Sequence, residues 1–155
     1  MNMVSLQNKE IPLKHLLPLI AERLAMGQSV RFFPKGVSML PMLRQGKDSV
    51  VISPLPDKLK KYDLPLYCRE DGHFVLHRIV KTGDSYTCLG DNQFQLEPGV
   101  QQQQMIAVVT AFYRGKKRYS VKHPLYWLYC RFWYYSRGMR RFILRGKAWI
   151  RRRLG

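Results

Sequence analysis

Three kinds of hydrophobic pattern follow one another along the chain. Between residues 11 and 26, Ile11, Leu16, Leu17, Ile20 and Leu24 recur at helical intervals, and Gly27 is placed to end the helix. Pro18 lies inside this stretch and predicts a kink or a restart. From about 29 to 120 the helical period gives way to short β-rich runs, at 29–33, 49–53, 64–68, 74–81, 85–89 and 105–113. Turn-forming groups such as Pro34-Lys35-Gly36, Glu70-Asp71-Gly72 and Thr82-Gly83-Asp84 separate them. Strands at this spacing predict a mainly β fold, a coiled antiparallel sheet or small β-barrel, with a hairpin around Gly83-Asp84. Across 123–153 a 3.6-residue period returns. Leu125, Leu128, Phe132, Tyr135, Met139, Phe142, Ile143 and Ile150 fall on one arc, and Arg137, Arg140, Arg141, Arg145, Arg151 and Arg152 on the opposite one. The predicted organisation is an N-terminal helix in 1–28, a β domain over 29–120 and a long basic amphipathic C-terminal helix in 121–155.

Charge sharpens this division. The chain has 155 residues and a formal charge of +17, from 27 Lys and Arg against 10 Asp and Glu. All ten acids lie between Glu10 and Glu97, so the body is nearly neutral and residues 98–155 carry 14 basic residues with no acid. At 46% hydrophobic and 24% charged residues, the composition is that of a folded chain. No apolar run approaches the ~18 residues that a transmembrane helix needs, and the start lacks the pattern of a secretory signal peptide. Cys68, Cys88 and Cys130 are widely spaced, which fits neither a disulfide framework nor a zinc site and points to a reducing, cytoplasmic setting. His73 and His77 are four apart but fall on a predicted turn and strand, and no glycine-rich phosphate loop is present, so no metal or cofactor is expected.

Three segments carry candidate chemistry. Gly36-Val37-Ser38-Met39-Leu40-Pro41 presents a serine just after a strand, where an ordinary turn serine is also at home. Val75-Leu76-His77-Arg78-Ile79-Val80 sets a histidine in a strand whose alternation puts Val75, His77 and Ile79 on one face and Arg78 on the other. A neutral imidazole facing a serine can take its hydroxyl proton near neutral pH. Gly90-Asp91-Asn92 then supplies an acid that could orient the imidazole, or simply an Asx-type turn.

The order Gly-x-Ser-Met-x-Pro, His-Arg-Ile-Val, Gly-Asp-Asn, with 39 residues from Ser38 to His77 and 14 from His77 to Asp91, resembles the type I signal peptidase family over residues 29–115. The resemblance implies a serine endopeptidase with Ser38 as nucleophile, His77 as general base and Asp91 as the acid. Glu97 is the alternative acid, and the Ser38 backbone N–H is the oxyanion donor. A histidine at the base position is similar to the Ser/His variant of the family; most bacterial members carry lysine there. Gly36 stands where many members have a hydroxyl residue, and losing one oxyanion donor typically costs about 3–4 kcal/mol. Tyr62 precedes Asp63 where the family usually has glycine, and no N-terminal membrane anchor is evident.

The basic stretch 123–153, with Trp127, Trp133, Phe132 and Phe142 among its arginines, fits a helix lying on an anionic membrane surface. Packing of the apolar arc on the β body and nucleic-acid binding are the other readings. The expectation is a signal peptidase-like endopeptidase that cleaves a leader or signal segment of a peptide or protein precursor, peripheral on the inner face of the membrane. The alternative is an inactive family member acting as a binding module, whose tail holds a membrane, nucleic acid or a protein partner.

Overall fold

Strand β9, Met105–Arg114, organises the protein. The computed structural model describes residues 4–5 and 13–144. One edge of β9 pairs antiparallel with β3, Asp48–Ser53. The other edge is shared: its first half pairs with β4, Pro65–Cys68, and its second half with β10, Lys117–Ser120. The sheet continues outward from β3 to β2, Val30–Phe32, and to β1, Val4–Ser5, which runs parallel to β2. On the far side β4 is followed by β5, Phe74–Leu76. A second, three-stranded antiparallel sheet holds β6, Arg78–Lys81, β7, Tyr86–Leu89, and β8, Glu97–Val100.

The fold is therefore mainly β, as the alternation predicts, with the expected β6–β7 hairpin around Gly83-Asp84. It is two sheets rather than a closed barrel. The predicted run 74–81 is divided at His77, where the chain leaves the first sheet and enters the second. Helix α1, Leu13–Ala25, passes through Pro18 and buries Ile20 and Leu24. It ends at Gly27, whose φ of 71° lets the Gly27 and Gln28 N–H groups reach back to Leu24 and Arg23 carbonyls.

Two apolar clusters follow from this layout. The larger joins Ile20 and Leu24 to Val50, Ile52, Leu66, Val109 and Phe112 of the first sheet. The smaller gathers Tyr67, Ile79, Cys88, Val100 and Met105 between the sheets. Cys88 and Cys130 are buried thiols, and Cys68 is half-buried.

The C-terminal helix is broken where a continuous one is predicted. Helix α2, Pro124–Tyr135, starts with Pro124 in its first turn and the His123 imidazole accepting from the Leu125 N–H. It is interrupted at Ser136 and resumes over 137–144; the rest of the predicted helix, with Arg145, Trp149, Ile150, Arg151 and Arg152, lies outside the described residues. Its predicted apolar arc does not pack on the body. Leu125, Leu128, Phe132, Tyr135, Met139 and Phe142 face solvent, Phe142 at 79% exposure. Tyr126, Tyr129 and Cys130 face inward instead. Their polar tips meet buried charge in the body, which apolar side chains could not satisfy.

Candidate active site

Ser38 lies in the loop after β2. Gly36 begins it with a φ of 95°, a left-handed conformation that suits glycine, and donates its N–H to Gln45 Oε1 at 2.9 Å. Met39, Met42 and Leu43, all buried in the larger cluster, anchor the loop. Each such side chain contributes about 1.5–3 kcal/mol of burial, so the half-buried Ser38 is carried on a fixed support. The Ser38 N–H has no acceptor among the described residues, while the Ser38 carbonyl accepts from the Asn92 N–H at 2.8 Å.

His77 sits at the joint between the sheets and is 3% exposed. On its Nδ1 side, Glu97 Oε2 is 3.5 Å away and the Tyr67 hydroxyl 3.4 Å. The Tyr67 hydroxyl donates its only proton to Glu97 Oε2 at 2.8 Å. Any hydrogen bond on this side must then be donated by His77 Nδ1–H, which leaves the lone pair on Nε2. Arg69 holds Glu97 with two charged bonds of 2.6 and 2.7 Å. Burial raises the Glu97 carboxyl, but the bonds from Arg69 and Tyr67 outweigh it and hold the group below its ordinary range. Burial dominates at His77 and, against the pull of Glu97, lowers its pKa, so the ring is neutral near neutral pH.

The Nε2 side faces the turn after β7. A Cβ built on Gly90 would stand 3.0 Å from His77 Nε2 and 2.8 Å from the Ser38 carbonyl oxygen. This turn therefore touches the histidine and the serine loop together. Asn92 adds a second tie, from its side-chain amide to the Val37 carbonyl at 3.2 Å. Ser38 and His77 line one cavity of about 210 Å³, with Lys35, Gly36, Arg69 and Gln93 among its walls. No hydrogen bond joins the Ser38 and His77 side chains among the described residues; catalytic hydrogen bonds are often long or poorly aligned in unliganded enzymes. A broader cavity of about 650 Å³ adjoins through Arg69 and Gln93, under the 92–98 segment.

Asp91, the acid the motif order indicates, is not against His77. It accepts from Arg78 Nε at 2.9 Å and from Nη2 at 2.8 Å, and from the Tyr129 hydroxyl at 2.9 Å. Both partners of the ion pair are nearly inaccessible, at 2% and 4%. Arg78 also donates to the Tyr126 hydroxyl at 2.8 Å and approaches Met42 Sδ at 3.2 Å, so it links α2 to the serine loop. Glu97, the alternative acid, is the carboxylate that His77 meets. Tyr67 and Arg69, which hold Glu97, lie in no motif of the sequence, and Gly90, the first residue of the Gly90-Asp91-Asn92 motif, is the one that packs beside His77. Tyr62 has a φ of 78°, a left-handed conformation that favours glycine. No group of three or more His, Cys, Asp or Glu among the described residues could hold a metal ion.

Comparison with protein-family models, with curated proteins and with solved structures finds no match to this chain.

Proposed function

We propose that the protein is a serine endopeptidase resembling type I signal peptidases, with a Ser38–His77 pair assisted by Glu97, acting on a leader or signal segment of a peptide or protein precursor. The observation that carries this reading is the two-sided setting of His77. Its Nδ1 meets an ionised, doubly anchored carboxylate, and its Nε2 faces the turn that packs on the serine loop. In the proposed reaction Nε2 takes the Ser38 hydroxyl proton as Oγ attacks the peptide carbonyl carbon. The free Ser38 N–H is available to the developing oxyanion. The imidazolium passes its proton to the leaving amine, and Glu97 stabilises the charge on the ring. Water, deprotonated by His77, then attacks the acyl carbon, and the imidazolium returns that proton to Ser38 Oγ as the acyl group leaves.

The same proposal seats the protein on an anionic membrane surface. The stripe Leu125, Leu128, Phe132, Tyr135, Met139 and Phe142 is exposed and repeats at alternating intervals of three and four. It belongs to a segment with no acid after Glu97. Two such helices from two copies would bring arginines together, whereas anionic lipid supplies both an apolar phase and the opposite charge. No helix among the described residues is long and apolar enough to cross a membrane.

The test is labelling of the purified protein with a fluorophosphonate, which reacts with activated serines. The wild type is expected to take the label at Ser38, and Ser38→Ala and His77→Ala to lose it. Labelling of His77→Ala at the wild-type rate would remove the histidine from the mechanism.

A further inference from the structure

The Gly90–Asn92 turn connects the proposed site to α2. On one side, Gly90 leaves no room for a Cβ beside His77 Nε2 and the Ser38 carbonyl, and Asn92 binds the Ser38 and Val37 carbonyls. On the other, Trp133 Nε1–H donates to the Asp91 carbonyl at 2.7 Å and Tyr129 donates to Asp91 Oδ2 at 2.9 Å. Arg140 adds a longer bond to the same carbonyl at 3.4 Å. Asp91 is thus held through both its main chain and its side chain; the residue before it packs beside the His77 ring, and the residue after it binds the main-chain carbonyl of Ser38.

We propose that α2 is part of the working site, with Trp133 and Tyr129 as positioning residues that hold the Gly90–Asn92 turn and, through it, the Ser38 loop and the His77 ring. The proposal deepens the serine-hydrolase reading and rests on it. The helix packs Tyr126, Tyr129 and Cys130 on the body, and from the same face it directs an indole N–H and a phenol at one residue of one turn. Tyr129 and Trp133 are successive positions on the same helix face, their rings stacked with centroids 5.8 Å apart, and both donate to Asp91. A displacement of that turn moves Asn92, and with it the carbonyl of the proposed nucleophile. Displacements of about 1 Å in such an arrangement can cost on the order of a hundredfold in rate.

Trp133→Phe keeps a ring in the contact and removes its N–H; Tyr129→Phe removes only the hydroxyl. Each full-length variant is compared with wild type by the backbone amide resonances of Ser38 and Asn92, by the His77 imidazole titration, by the rate of fluorophosphonate labelling and by melting temperature. Trp133→Phe is expected to shift both amides, move the His77 titration and slow labelling by about tenfold or more, and Tyr129→Phe to shift the same signals. A purely structural contact would lower the melting temperature but leave the amides, the titration and the labelling rate of the folded protein as in wild type; that result overturns the proposal. If Trp133→Phe does not fold, Tyr129→Phe decides by the same signals. If wild-type Ser38 takes no label, the hydrolase reading fails by itself, and unshifted Ser38 and Asn92 amides in the variants would separately overturn the coupling.

Discussion

Gly90 lies so close to His77 that a Cβ at position 90 would stand 3.0 Å from the ring's Nε2. The same atom would fall 2.8 Å from the Ser38 carbonyl oxygen and 2.9 Å from Gln93 Oε1. Backbone at that distance has to move. Gly90→Ala is expected to cost about 1–3 kcal/mol, the usual penalty of overpacking. It should also slow Ser38 labelling more than its melting temperature alone would explain. A variant that melts lower but labels at the wild-type rate would show that the turn does not set the reacting groups.

The two acids should separate by what their loss changes. Glu97→Gln removes the charge facing His77 Nδ1 while its pair with Arg69 is partly solvent-exposed. The expected result is a labelling rate lower by about ten- to a hundredfold with little change in melting. Asp91→Ala leaves the Arg78 cation buried without its carboxylate. That is expected to destabilise by about 3–5 kcal/mol. Urea unfolding of both variants beside the labelling assay checks the contrast. Equal rate losses with equal stabilities would contradict it.

His77 also predicts a pH dependence. Burial lowers its folded pKa, so the unfolded chain takes the proton first as pH falls below about 6.5. Below that value the unfolded state binds more protons, and the stability present at higher pH is lost progressively as pH falls through the folded pKa. Wild type should therefore lose stability relative to His77→Gln on acidification from about pH 7 to 5. The acidic limb of the labelling rate should lie below the ordinary histidine range. A limb above about 6.5 would mean that the ring is not desolvated as described.

On the exposed stripe of α2, Phe132 is 64% exposed and makes no part of either core. Phe132→Ser should leave melting unchanged and weaken binding to phosphatidylglycerol vesicles by about tenfold or more, the scale of one buried aromatic side chain. Binding to phosphatidylcholine vesicles should be weak for both proteins, and added salt should weaken binding to the anionic ones. Unaltered binding of Phe132→Ser to anionic vesicles would leave the stripe without that role.

Ser38 and His77 stand out in the chain because both sit in short motifs at strand ends, and the structure brings these two to one cavity but leaves Asp91 out of it. The choice between Asp91 and Glu97 could have been made from the residue beside the histidine. Alternation sends His77 and Arg78 to opposite faces, and an arginine within an apolar run needs a buried carboxylate. Arg78 takes Asp91, and Glu97 is left for His77. Strands β8, Glu-Pro-Gly-Val, and β10, Lys-Arg-Tyr-Ser, carry almost no apolar alternation and form through backbone pairing with neighbours distant or adjacent in sequence. The helix shows a different limit. Its hydrophobic period reports correctly that two faces differ, but not which one meets the protein. Tyr126, Tyr129 and Trp133 settle that with hydrogen bonds to Arg78 and Asp91 that no wheel displays.

Whether Ser38 cleaves peptide bonds with His77 as base is decided by comparing protein N-termini by mass spectrometry in cells carrying the wild type or Ser38→Ala. A small set of N-termini present only with the wild type, all sharing one local cleavage pattern, is the expected result. An identical set in both strains across several growth conditions would contradict it and leave a binding module that keeps the site's geometry without its reaction.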